Sequence, residues 1–91
     1  MSVRKRLLRT AFRDAVFARA KGQCQARPAD TRCDAVAMDA HHIESRDTAP
    51  DGGYVESNGI ALGSVCHERA ERDQHDPRGD YRPGELRRWI R

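Results

Sequence analysis

Aromatic side chains are scarce in this sequence, with one Trp, two Tyr and two Phe among 91 residues. Apolar residues make up only 37% of the chain, against 34% charged. A single domain of this size therefore has a thin core, and such chains often use a bound metal to supplement packing. No apolar run approaches the roughly 20 residues of a membrane span, so no membrane partner is expected. The opening stretch MSVRKRLLRT is basic but lacks the continuous apolar segment of a signal peptide; a cytoplasmic location is expected. Cysteine is sparse and odd in number. Cys24, Cys33 and Cys66 argue against a disulfide framework and suit thiolate metal ligands. Internal repeats and low-complexity segments are lacking too.

Charge is present but segregated. Residues 1–21 carry seven basic and one acidic side chain, residues 22–76 five basic and eleven acidic, and residues 77–91 five basic and two acidic. An acidic middle between basic ends suits a protein that binds a polyanion around a cation site. The candidate phosphate-gripping residues are Arg4, Lys5, Arg6, Arg9 and Arg13 at one end and Arg87 and Arg88 at the other. The plainer alternative is a solvated basic helix face at each end.

The hydrophobic pattern predicts a basic N-terminal helix over about 2–21, with Leu8, Phe12, Ala15 and Val16 as its stripe, Leu7 and Ala11 flanking, and Lys21-Gly22 as its stop. A polar loop carries Cys24 and Cys33. AVAMDAHHI reads as a strand, and ESRDTAPDGGYVESNG as a long loop of turn residues. IALGS gives a second short strand. SVCHERAERDQH reads as a helix with Ser64 as its N-cap, and Pro77, Gly79, Pro83 and Gly84 then break the chain. A terminal helical turn or two puts Leu86, Trp89 and Ile90 on one side, within a C-terminal extension over 77–91.

Only four histidines are present, yet two are adjacent in DAHHI and a third follows a cysteine in NGIALGSVCH. Adjacent histidines are poor core material, because each buried ring needs polar partners. The order of strand with His41-His42, long loop, Asn58, short strand and helix with His67 resembles the HNH endonuclease family over about residues 12–72. The stretches that carry it are FRDAVFARAKGQCQ, DAHHI, SNGIAL and CHERAE. The resemblance implies an α+β fold with a small ββα-metal (His-Me finger) core at about 36–75, in one nuclease domain spanning residues 1–91.

The chemistry suits those residue types. A neutral imidazole with a pKa near 6.5 can take a proton from water at physiological pH. A divalent cation can stabilise the phosphoryl charge and the leaving 3′ oxygen. Consecutive strand residues face opposite ways, so adjacent histidines at a strand end can serve the two sides of one phosphorus. By resemblance, His42 is the general base and His41 a metal ligand, at a position where many relatives carry Asp. Asn58 would orient the base or join the metal shell, and His67 would be the second metal ligand. Asn58-Gly59 is also an ordinary tight-turn dipeptide. Glu71, four residues after His67, shares its helix face. It would complete the metal shell or hold an outer-shell water, or else pair with a basic neighbour. His75 continues that line one turn further on, or is a surface residue.

Two imidazole ligands favour Mn²⁺, Ni²⁺, Co²⁺ or Zn²⁺ over Mg²⁺, so activity with Mn²⁺ or Ni²⁺ is expected to match or exceed that with Mg²⁺. Many family members also carry a structural zinc held by two cysteine pairs, the second written Cys-x-x-Cys-His. Here Gly63 stands at the first cysteine of that pair. Cys24, Cys33 and Cys66 would bind zinc if a histidine, a carboxylate or water took the fourth position; the alternative is three free thiols. The leading expectation is thus a metal-dependent endonuclease on DNA with little base readout, RNA remaining open. The alternatives are a non-catalytic nucleic-acid-binding module that keeps the HNH fold and an interaction protein with a purely structural metal. Small proteins of this kind occur in phages and bacterial mobile elements, which points to a bacterial host cell and to packaging, restriction or homing. Whether one strand or two is cut stays open; a double-strand cut needs two sites, hence a homodimer or a larger phage or restriction complex.

Overall fold

A computed structural model describes residues 3–91, and of Pro50 and Asp51 the backbone alone. Phe12, Val16 and Ala20 recur at four-residue intervals, so one face of the first helix, α1 (Val3–Ala20), is apolar and buried. The helix ends where Lys21 and Gly22 take positive φ of 57° and 73°, with Gly22 N–H donating to Phe17 O at 3.1 Å. The predicted start at residue 2 lies outside the described residues. Leu8, expected in the stripe, and Leu7, expected beside it, are 41% and 65% exposed. The burial of α1 begins only at Phe12, and residues 3–11 are exposed.

Strands β1 (Asp39–His42) and β2 (Gly59–Leu62) pair antiparallel, with His41 opposite Ile60 and His42 opposite Gly59. Helices α2 (Ser64–Arg72) and α3 (Pro83–Trp89) follow. Among the described residues the result is a small compact α+β fold of three α-helices and a two-stranded sheet. No described helix is long and apolar enough to cross a membrane.

The sheet separates two cores. On one face, Ile43, Ile60 and Leu62 pack with Cys66 and Ala70 of α2, Tyr81, and Leu86 and Trp89 of α3. On the other, Ala61 meets Phe12, Val16 and Ala20 of α1. Gly59 permits that second contact, because a Cβ there would collide with Val16 and Phe12. Arg19 of α1 locks the approach by donating to the carbonyls of Glu56 and Gly59 and to Gln25 Oε1. Gln25 Oε1 also accepts from Ala61 N–H at 3.0 Å.

Several element boundaries differ from expectation. The first strand keeps only four residues, because Val36 instead bridges to Gln23 across the turn that ends α1. The long loop contains two 3-10 turns, Pro50–Gly53 and Glu56–Asn58, and a third lies at Pro28–Asp30 in the cysteine loop. Gly63, not Ser64, is the N-cap of α2, and no side chain caps that end. The helix stops at Arg72, where Asp73 turns inward and its Oδ2 accepts from Tyr81 N–H at 2.9 Å. His75 therefore lies past the helix, exposed, and does not extend the line of His67 and Glu71.

Candidate metal centre and adjoining groove

Strand alternation sends His41 to the face of Ile60 and α2, where it is only 5% exposed. His67 sits in the first turn of α2, and its ring centroid is 5.3 Å from that of His41. Glu71 follows one helical turn later. One donor atom from each of His41, His67 and Glu71 lies within 4.8 Å of the other two. Glu71 Oε1 is 3.1 Å from His67 Nε2 and 4.0 Å from His41 Nδ1, and Asp39 Oδ2 is 3.2 Å from His67 Nδ1.

The hydrogen-bond inventory bears on what this cluster holds. A neutral imidazole has one N–H donor, but both nitrogens of His67 face carboxylates. Only one of these two contacts can be an N–H donation from a neutral ring, so the other nitrogen could face a cation. Burial of His41, and then the proximity of His67, push its pKa down to about 4. It stays an uncharged nitrogen donor at neutral pH. Two imidazoles and a carboxylate fit a divalent ion of the Mn²⁺, Co²⁺, Ni²⁺ or Zn²⁺ type. The cleft beside them has a volume of 150 Å³, roughly five waters at about 30 Å³ each, which is room for an ion with part of its hydration shell.

His42 faces the other way. Its ring stacks on Phe12 at 4.5 Å between centroids and meets Tyr54 edge-on at 5.0 Å. Burial, then the charges of Arg46 and Arg9, lower its pKa, so it too is neutral at physiological pH. Its Nε2 is buried without a hydrogen-bond partner, which leaves Nδ1 as the nitrogen able to accept a proton from water. His42 lines the cleft of the cluster and also a larger groove of 490 Å³ along α1.

Asn58 does not touch the cluster. It is buried, and its Oδ1 accepts from Glu44 N–H at 2.9 Å while its Nδ2 donates to the carbonyls of Glu44 and Gly53 at 3.1 and 3.2 Å. The side chain clamps both ends of the loop that leaves β1 just after His42. Of the three roles open at the sequence level, membership of a metal shell does not fit this geometry, whereas a turn-stabilising role and indirect support of His42 through the loop both do.

The basic residues divide. Arg6, Arg9 and Arg13 line the groove beside His42, whereas Arg4 and Lys5 are exposed on α1 but do not line it. Arg87 and Arg88 lie elsewhere: Arg87 pairs with Glu44 at 3.6 Å, and Arg88 with Glu85 at 2.7 Å and Asp30 at 3.5 Å. Three residues of the site carried no expectation, namely Asp39, Arg46 and Tyr54. The two-residue period of β1 aligns Asp39 with His41 and would have found it; Arg46 and Tyr54 sit in an irregular loop with no period.

Cys24, Cys33 and Cys66 also converge, each sulfur within 4.8 Å of the others, and could hold a metal. Burial raises the Cys24 thiol to about 11, so bringing it to the thiolate form calls for a cation at the site. No histidine or carboxylate joins the group among the described residues. A neighbouring polar group is the Tyr81 hydroxyl, 3.5 Å from Cys66 Sγ, so a metal held here would take its fourth ligand from water or that hydroxyl. A side chain at Gly63 would press on Ala35 Cβ and Val36 O at 3.1 Å, which accounts for the small residue there.

No family model, no curated protein and no solved structure matches this chain, so its function is read from its own residues.

Proposed function

We propose that this chain is a divalent-metal-dependent endonuclease of the HNH type, with β1, β2 and α2 as its ββα-metal core, that hydrolyses DNA phosphodiester bonds. The observation that carries the proposal is the convergence of His41, His67 and Glu71 at one end of a cleft whose wall is the neutral His42. His41, His67 and Glu71 would hold the ion, with Asp39 fixing the ring of His67. A bound divalent cation supplies charge neutralisation on the phosphoryl and leaving oxygens. His42 Nδ1 takes the proton of the attacking water, and the burial of its ring keeps that nitrogen unprotonated near pH 7. Phe12 and Tyr54 hold the ring, and Asn58 holds the loop behind it. Structural Zn²⁺ at the three cysteines would tie the loop of Cys24 and Cys33 to α2.

The arginine groove also supports a second reading, a nucleic-acid-binding module without catalysis. A time course on supercoiled plasmid, with DNA affinity measured alongside, separates the two. Cutting by the wild type with Mn²⁺ or Ni²⁺, at rates equal to or above those with Mg²⁺, supports the nuclease. Binding without cutting of supercoiled or single-stranded DNA under any of these metals supports the module.

A further inference from the structure

The metal-side cleft and the groove along α1 share three lining residues, Ala40, His42 and Arg46. Ala40 offers a methyl group, so His42 and Arg46 are the polar side chains that reach both cavities. We propose that Arg46 binds the scissile phosphate at this boundary, and that Arg6, Arg9 and Arg13 form the track along which the flanking phosphates of a DNA strand lie. The proposal rests on the nuclease reading for the role of Arg46, but not for the track.

Three independent features lead here. First, Arg6, Arg9 and Arg13 fall at i, i+3 and i+7, one face of α1. They span about 10 Å at about 1.5 Å per residue, comparable to four successive phosphates of one duplex strand, three steps of about 3.4 Å of axial rise. Second, the turns of α1 that carry Arg6 and Arg9 are exposed, and both side chains line the groove. Third, Arg46 is exposed, yet its position is fixed. Its Nη1 donates to Tyr54 Oη at 3.0 Å, and the same Tyr54 ring packs edge-on against His42. One tyrosine thus sets the guanidinium and the proposed base relative to each other. Tyr54 takes one of the five donors of Arg46, and the remaining fork suits the paired oxygens of a phosphodiester.

The charge layout agrees. Among the described residues, Asp39 is the single carboxylate that lines the groove, against four arginines, while the cleft on the far side of Arg46 carries Glu71 and the two histidines proposed as ligands. A phosphate at the boundary would have guanidinium groups on one side and the cation site on the other.

The test uses the full chain in two arms. In the first, binding to a labelled duplex is measured in EDTA across a salt series, so no cutting intervenes. Arg6→Ala/Arg9→Ala should weaken binding about tenfold at low salt and lower the slope of log K against log salt by about 2, near one unit per lost phosphate contact. Arg78→Ala, an exposed arginine outside the groove, should match the wild type. Equal losses in both variants, or an unchanged slope, would overturn the track. In the second arm, Mn²⁺-dependent hydrolysis of bis(p-nitrophenyl) phosphate reports on a single diester with no flanking phosphates. Arg46→Ala should lower kcat at least tenfold and Arg46→Lys should restore part of it, with the thermal midpoint of both unchanged. An Arg46→Ala enzyme with wild-type kcat on this ester would overturn the role of Arg46. Wild type that turns over neither ester nor plasmid sinks the nuclease reading and Arg46 with it, and the first arm still decides the track.

Discussion

His41 and His42 are neighbours in the chain but face opposite sides of β1. His41 lies against His67, with 5.3 Å between ring centroids, and His42 stacks on Phe12 at 4.5 Å. Both nonetheless border the same 150 Å³ cleft. The strand period places one imidazole with the carboxylates of Asp39 and Glu71 and the other with the arginines of α1. One pair of residues thereby divides the candidate metal cluster from the arginine-lined groove.

Metal affinity should follow the cluster. His67→Ala is expected to weaken Mn²⁺ binding by at least tenfold in calorimetric titration, since it removes one of three donors. Asp39→Asn should cost about 10–100-fold, the usual effect of losing the partner that orients a ligating histidine. Wild-type affinity in Asp39→Asn would show that the 3.2 Å contact to His67 Nδ1 does not set the ring.

Stability of the metal-free protein should fall with acid in a defined window. His41 has a folded pKa near 4 against about 6.5 unfolded, so the unfolded chain binds the proton first. The contribution is complete above about pH 6.5 and is lost as the pH falls toward 4, amounting to about 3 kcal/mol in all and about 2 kcal/mol by pH 5. Urea unfolding in EDTA at pH 7.5 and pH 5 measures it. The His41→Gln variant should show a loss smaller by about 2 kcal/mol; an identical loss in both proteins would contradict the assignment.

Asn58→Ala should destabilise the fold by about 1–3 kcal/mol. It leaves a buried cavity and strips the Glu44 N–H and two carbonyls of their partner. Because the clamped loop follows His42, proteolysis within 44–57 should also speed up, and a variant with wild-type stability and cleavage pattern would speak against a clamp.

The three sulfurs should retain zinc through purification. About one equivalent is expected by elemental analysis in wild type, falling toward zero in Cys33→Ser with a lower thermal midpoint, and equal zinc in both would rule the cysteines out as the site. Gly63→Ala should destabilise by about 1–3 kcal/mol whether or not zinc is bound, since its methyl meets Ala35 and Val36 at 3.1 Å.

Much of this arrangement was legible from two short periods. A repeat of two puts His41 and His42 on opposite faces, and a repeat of four puts His67 and Glu71 on one helix face. The Phe12, Val16 and Ala20 stripe is equally local. What was not legible depends on partners distant in sequence. Leu8 continues the stripe by spacing and Leu7 flanks it, but both are exposed. Residues 35–38 alternate like a strand, yet Val36 pairs with Gln23 because the Lys21-Gly22 turn folds the chain back there. The end of α2 is set by Asp73 reaching Tyr81 N–H, which helix propensity does not report. Arg46 and Tyr54 meet His42 through an irregular loop.

The division of labour between the two adjacent histidines is tested most directly by His42→Ala at saturating Mn²⁺, with bound manganese and plasmid cutting measured in one sample. Manganese should bind as in the wild type while the cutting rate falls by about 10²–10⁴-fold, the span associated with loss of a general base. Cutting within about tenfold of wild type, or loss of manganese together with cutting, would contradict it.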